Sequence, residues 1–133
     1  MTRAEPVWLS REEIAYLHES SIRQFGGSHG VRDEGLIASA IARPGNLWSY
    51  DPDADVAALA AAYAFGLAKN HGFIDGNKRI GFLAMGAFLH INGWRLNAGE
   101  PEAAVVMLEL ASGGRTEQDL AAWLRTRIEP IAA

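Results

Sequence analysis

The sequence predicts an all-α protein, a single-domain helical bundle over residues 1–133 with a helix–loop–helix at its centre. Its 133 residues suit one domain, and a hydrophobic content of 49% with 21% charged residues is ordinary for a folded protein. Apolar residues recur at helical spacing along most of the chain. Only the stretch from Trp94 to Leu96 suggests an extended segment.

Most of the predicted helices have a recognisable start or stop in the sequence. Ser10 with Glu13, and Thr116 with Asp119, match the capping pattern of a helix N-terminus, and Pro101 suits the first position of another helix. The two central helices are apolar on nearly every side, so they are expected to be buried. The predicted helices cover residues 11–24, 33–42, 56–70, 77–91 and 101–111, and a last one runs from Thr116 to a point before Pro130.

The stretch Pro44–Pro52 is predicted to be a loop, because proline rarely continues a helix. It carries Trp48 and Tyr50, which could contact a partner or pack on the core. The sequence leaves these two alternatives open.

The residues that suggest chemistry are concentrated between the two central helices, in the run from His71 to Arg79, HGFIDGNKR. The run is expected to be a loop that leads into a helix N-terminus, where free backbone N–H groups and the helix dipole favour an anion. Lys78 and Arg79 add positive charge, which is unfavourable at a helix start unless an anion offsets it. The pattern therefore predicts phosphate chemistry.

Individual residues of this run have both a functional and a structural interpretation. His71 suits a general base, since imidazole titrates near pH ~6.5, or it could contact the last carbonyls of the preceding helix. Asp75 suits a Mg²⁺ ligand or a helix N-cap. Gly76 permits a positive φ, and Asn77 could contact a phosphate or cap the helix. Phe73 is expected to point into the core, as are several residues that follow the run: Ile80, Phe82, Leu83, Met85, Phe88 and Leu89.

Composition limits the other classes of function. The chain has no cysteine, which excludes disulfides, thiolate zinc sites and a cysteine nucleophile. A net charge of −4 gives no general basic surface, so direct DNA binding is not expected. The longest apolar stretch, Val56–Ala68, is too short to span a bilayer, and the N-terminus lacks the apolar segment of a secretory signal. We therefore expect a cytoplasmic protein with no membrane partner.

The run resembles the signature of the Doc (death-on-curing) branch of the Fic/Doc superfamily. The superfamily pattern is His-x-Phe-x-Asp/Glu-Gly-Asn-Gly-Arg-x-x-Arg, whereas the Doc branch has lysine in place of the second glycine. This chain has Lys78 at that place and Phe82 where the second arginine would stand. Residues Val31–Asn46 and Phe88–Gly93 also resemble Doc segments, so the resemblance covers roughly Leu9–Trp94.

The resemblance implies a helical Fic/Doc bundle and protein phosphorylation with ATP and Mg²⁺. In the Doc branch the γ-phosphate passes to a threonine of elongation factor Tu, which arrests translation. His71 would then be the base and Asp75 the metal ligand. The residues implied to bind the phosphates of the nucleotide are Gly76, Asn77, Lys78 and Arg79.

Two alternatives and a partner follow from the same resemblance. Lys78 and Phe82 favour a kinase, with an adenylyl- or other nucleotidyltransferase as the runner-up and a non-catalytic helical binding module as the third interpretation. The self-inhibition motif of some Fic proteins is missing, because Gly30 stands where Ser or Thr is required. A cognate antitoxin, with a helical segment bound in a groove, is therefore implied. The substrate-docking flap of the family would correspond to Arg43–Asp53.

Overall fold

The computed structural model describes residues 3–132, which form six α-helices and two short strands. The all-α prediction is confirmed, with one small antiparallel sheet added to the bundle. No helix in the described residues is long and apolar enough to cross a membrane. The elements are α1 Arg11–Phe25, α2 Glu34–Tyr50, α3 Val56–Asn70, α4 Asn77–Ile91, β1 Trp94–Leu96, α5 Glu100–Ser112, α6 Glu117–Arg127 and β2 Ile128–Pro130.

Helix α3 lies at the centre of the bundle and packs against α2, α4, α5 and α6. Small residues let its neighbours approach closely. A Cβ added at Gly66 would lie 3.1 Å from the Cα of Ala40 in α2, and one at Gly81 in α4 would lie 2.9 Å from the carbonyl oxygen of Ala64. The α3–α4 pair that flanks the HGFIDGNKR run is therefore held by close backbone packing.

The predicted helix starts at Ser10 and Thr116 are confirmed as capping boxes, with Glu13 and Asp119 as the reciprocal partners. Of the six α4 residues predicted to lie in the core, four are fully buried and two are half-buried. Phe82 is half-buried and packs against the core, and Leu83 is half-buried. The fully buried members are Ile80, Met85, Phe88 and Leu89.

The prediction of a loop over Pro44–Pro52 is wrong, because Pro44 lies inside α2, which continues to Tyr50. Proline removes one backbone hydrogen bond from a helix. Here Pro44 is fully buried, and Trp48 beyond it packs on the core, so burial of this face offsets the missing bond. Arg3 lies 3.5 Å above the Trp48 ring, whereas Tyr50 is 75% exposed. Trp48 is thus a packing residue.

The extended segment predicted at Trp94–Leu96 is confirmed as β1, but its partner β2 was not predicted. The two strands pair antiparallel, with Arg95 opposite Glu129 and an ion pair between their side chains. The last helix ends at Arg127, ahead of Pro130 as expected.

Candidate active site

His71 lies at the C-terminal end of α3, in the left-handed conformation with φ 51° and ψ 46°. It is the one non-glycine residue with positive φ within residues 3–132, and its side chain is exposed. The Arg32 side chain donates from Nε to the His71 carbonyl oxygen at 2.6 Å and from Nη2 to the Asn70 carbonyl oxygen at 3.2 Å. These bonds occupy carbonyls that the end of a helix leaves unpaired.

The loop after His71 is bonded along its length to the segment that precedes α2. The Gly72 carbonyl accepts from the backbone N–H groups of Arg32 and Asp33, at 2.8 and 2.9 Å. The Ile74 N–H donates to the Gly30 carbonyl at 3.1 Å. A Cβ at Gly72 would lie 2.4 Å from a side-chain carbon of Ile37, so only glycine fits at this position of the loop.

Phe73 and Asn77 hold the loop from the inside. Phe73 is buried, as predicted, and stacks on the ring of His18 with 3.8 Å between centroids. The Asn77 side chain accepts from the Phe73 N–H at 3.1 Å and donates to the Phe73 carbonyl at 3.0 Å. In this arrangement the amide is buried and both of its ends are bonded to the Phe73 backbone, so it has a structural role in the loop. The phosphate contact of Asn77 stays a prediction.

Asp75 is exposed, and its carboxylate is fixed by two backbone donors. Oδ2 accepts from the Ser28 N–H at 3.1 Å and Oδ1 from the Gly76 N–H at 2.9 Å. These bonds, and further the charge of Arg79, lower the pKa of Asp75, so the group is ionised at neutral pH. The Asp75 carbonyl is itself bonded to Nε2 of His18, at 2.8 Å.

The N-terminus of α4 is open toward the loop. Its N-cap is Gly76, with φ 75°, and no side chain caps it, so the alternative of Asp75 as the N-cap is not what the structure shows. Lys78 in the first turn is exposed. Arg79 donates from Nη1 to the carbonyls of Ser21 and Gly26, both at 3.2 Å. Free N–H groups, the helix dipole and the charge of Lys78 all favour an anion at this end.

The described residues contain no group of three or more His, Cys, Asp or Glu side chains that could hold a metal by themselves. A nucleotide-borne Mg²⁺ needs less, because it typically takes one or two carboxylates and several phosphate oxygens and waters. The ionised and exposed Asp75 fits that requirement.

Comparison with known proteins identifies the family. A sequence model described as the Fic/DOC family matches residues 8–89. The chain belongs to the Doc family of the Fic/Doc superfamily. It is 44% identical to "Toxin Doc" of Mycolicibacterium smegmatis over 92 residues, which cover 68% of each chain. It is 31% identical to "Protein kinase doc" of Escherichia phage P1 over 117 residues, which cover 88% of this chain and 92% of the relative.

Two residues at this Doc-family site escaped the sequence analysis. His18 is 3% exposed and lies four residues after the buried Ile14, so the signal was a polar residue on the apolar stripe of α1. Arg32 gave no signal, since it lies in an exposed polar stretch. The segment that lies along the loop is 27–33, whereas the predicted flap over 43–53 is helical as far as Tyr50.

Proposed function

We propose that this chain is the toxin of a type II toxin–antitoxin system and acts as a protein kinase. It would transfer the γ-phosphate of ATP to a threonine or serine hydroxyl of a translation factor such as elongation factor Tu, and so arrest translation. The names of the two relatives support a toxin and a kinase. The observation that carries the proposal is an exposed histidine at the end of α3, joined by the short loop 72–76 to the uncapped, lysine-bearing start of α4.

The phosphates of the nucleotide would lie on the start of α4. The first N–H groups of the helix have no side-chain cap and would donate to the phosphate oxygens, with Gly76 allowing close approach. Lys78 would contact phosphate oxygens, and Arg79 would join it by turning from the carbonyls it now contacts at the end of α1. Asp75 would hold Mg²⁺, which when bound would neutralise part of the phosphate charge.

His71 would act as the general base. Its imidazole takes the proton of the target hydroxyl as the bond between that oxygen and the γ-phosphorus forms. The bond from the γ-phosphorus to the β,γ-bridging oxygen breaks, and ADP leaves with the electron pair. Most of the catalysis is therefore positioning and charge stabilisation, which suits a site built from two helix ends.

Two side chains support transfer of the γ-phosphate over transfer of the nucleotidyl group. Lys78 extends from the start of α4, where a nucleotidyl-transferring relative would have glycine and room for the nucleotide in another position. Phe82 is half-buried and packs against the core, so the place of a second phosphate-binding arginine is taken by an apolar ring.

We further propose that a helical segment of the antitoxin binds a groove between α1 and α4. The groove is open and mainly apolar, with Tyr16 68% and Ile91 39% exposed along it. An amphipathic helix can bury such a surface. Ile91→Lys is expected to abolish capture of the co-expressed antitoxin. Leu108→Lys, on α5 at a position that is 57% exposed, should leave capture unchanged. Equal capture by both variants would move the antitoxin to another surface.

A label-transfer assay tests the activity. Purified protein, Mg²⁺ and elongation factor Tu are incubated with ATP labelled at the α- or the γ-phosphate. His71→Ala is measured beside His90→Ala, which changes an exposed histidine at the opposite end of α4. Label from the γ position that is lost only in His71→Ala supports the kinase.

The other outcomes separate the alternatives. Label from the α position alone would make the chain a nucleotidyltransferase and would mean that Lys78 does not set the nucleotide position. No transfer with a full set of purified translation factors and several nucleotides would favour the non-catalytic binding module. Equal transfer by His71→Ala and His90→Ala would show that His71 is not the base.

A further inference from the structure

Three consecutive carbonyls at the end of α3 all accept from one residue, Arg32. Its guanidinium binds the carbonyls of Asn70 and His71, and its backbone N–H binds that of Gly72. The carbonyls of a last helical turn lack intrahelical donors and form the negative end of the helix dipole, so a cation is favourable there. Arg32 therefore supplies both the charge and the donors for this turn.

The conformation of His71 makes such support necessary. His71 is a non-glycine residue in the left-handed region, which is unfavourable and persists only when the surroundings fix it. On the far side, Gly72 is fixed by its close contact with Ile37 and by its bonds to the segment before α2. On the near side the bond to the His71 carbonyl is made by Arg32, at 2.6 Å.

We propose that Arg32 is a positioning residue for the transfer reaction: by holding the carbonyls of Asn70 and His71, it fixes the direction in which the His71 imidazole faces. The inference rests on the proposed role of His71 as the base. Arg32 does not touch the reacting groups in this arrangement, because its donors face the end of α3. Its planar fork matches two neighbouring carbonyls, which the single ammonium of a lysine cannot do equally well.

The exposure of Arg32 permits a chemical test. Arg32→Ala should leave a site that is open to solvent and shaped for a guanidinium ion. We expect kcat to fall by up to about 100-fold, with little change in the KM for ATP, because only the base is displaced. Guanidinium chloride at low millimolar concentration should restore a large part of kcat, and methylammonium chloride should not. The kcat of Arg32→Lys should fall between that of Arg32→Ala and that of the wild-type protein.

The matched control is Arg95→Ala, which removes an exposed arginine from the ion pair with Glu129. Arg95 follows the C-terminus of α4, and this 15-residue helix places it about 22 Å from the loop. The kcat of Arg95→Ala should stay within about twofold of the wild-type value, with or without guanidinium. A kcat for Arg32→Ala in the same range as this control would overturn the proposal, as would equal rescue by guanidinium and methylammonium.

A second readout does not depend on activity. The backbone ¹³C shifts and the intraresidue HN–Hα NOE of His71 report its backbone conformation, and in the wild-type protein they should show the left-handed conformation. Arg32→Ala should move them toward averaged values, and guanidinium should restore them. Unchanged NMR values for His71 in Arg32→Ala would refute the positioning role, even if no phosphoryl transfer is ever detected. Failure of this inference can therefore be distinguished from failure of the proposed function.

Discussion

Replacing Asn77 by alanine separates the two roles that this residue could have. In the structure its amide forms two hydrogen bonds with the backbone of Phe73, at 3.1 and 3.0 Å, and the residue is 8% exposed. Asn77→Ala leaves one buried N–H and one buried carbonyl without partners. A buried polar group that loses its partner costs about 1–3 kcal/mol. Losing both partners is therefore expected to lower the free energy of unfolding by about 2–4 kcal/mol. The upper limit is below the full sum for two groups, because the loop can relax in part.

Thermal and urea unfolding followed by circular dichroism measure this loss. For a chain of 133 residues, each kcal/mol corresponds to roughly 3–5 °C in Tm, so a fall of roughly 6–20 °C is expected. Asn46→Ala is the control, since Asn46 is exposed on α2, and it should shift Tm by no more than about 1–2 °C. A Tm for Asn77→Ala equal to that of the control, together with a lost or weakened affinity for nucleotide, would refute the internal role and restore the phosphate contact.

Three further substitutions test the packing and the electrostatics around the loop. Gly81→Ala places a Cβ 2.9 Å from the carbonyl oxygen of Ala64 and should destabilise the fold by about 1–3 kcal/mol in urea unfolding, whereas an unchanged urea midpoint would contradict the close α3–α4 contact. Asp75 has a lowered pKa in the folded state, so it stabilises the fold above the unfolded pKa of ~3.9, and this contribution is lost as pH falls through the folded value. Asp75→Asn should therefore flatten the acid limb of the stability–pH curve, and an unaltered limb would mean that the bonds from Ser28 and Gly76 do not favour the charged form. His18→Phe keeps an aromatic ring against Phe73 but removes the donor to the Asp75 carbonyl; a loss of about 1 kcal/mol in unfolding free energy is expected, and no loss would show that this bond is not formed.

Local signals in the sequence predicted the elements that depend on them. The capping residues Ser10 and Thr116 act within one turn of their helices, so their helices began where expected. The prediction at Pro44 was wrong because proline tends to end a helix locally, whereas the continuation of α2 depends on burial against α3, which is a tertiary effect. Strand β2 has three residues and forms only because β1 lies beside it, so no periodic pattern could reveal it.

The motif alone identified the family, and the roles of its residues stay predictions. The contacts that hold the motif in place could not be predicted from it. A buried amide at Asn77 and an exposed one look alike in a sequence, because the difference lies in which neighbours reach it. His18 and Arg32 lie more than 35 positions from the residues they contact. Their contacts result from the packing of α1 and of the segment before α2 against the loop, and no local pattern records such packing.

The two halves of the proposed site are positioned by different parts of the structure. On the proposed nucleotide side, the donors would be backbone N–H groups of α4, which are fixed as soon as the helix packs on α3. The proposed base, His71, lies beyond the last turn of α3, in a conformation that the helix does not impose. Its direction must therefore come from outside the motif, and Arg32 is the residue whose side chain makes both bonds at that turn. Substitutions at Arg32 should accordingly impair the transfer step, whereas substitutions at Lys78 should impair the binding of nucleotide.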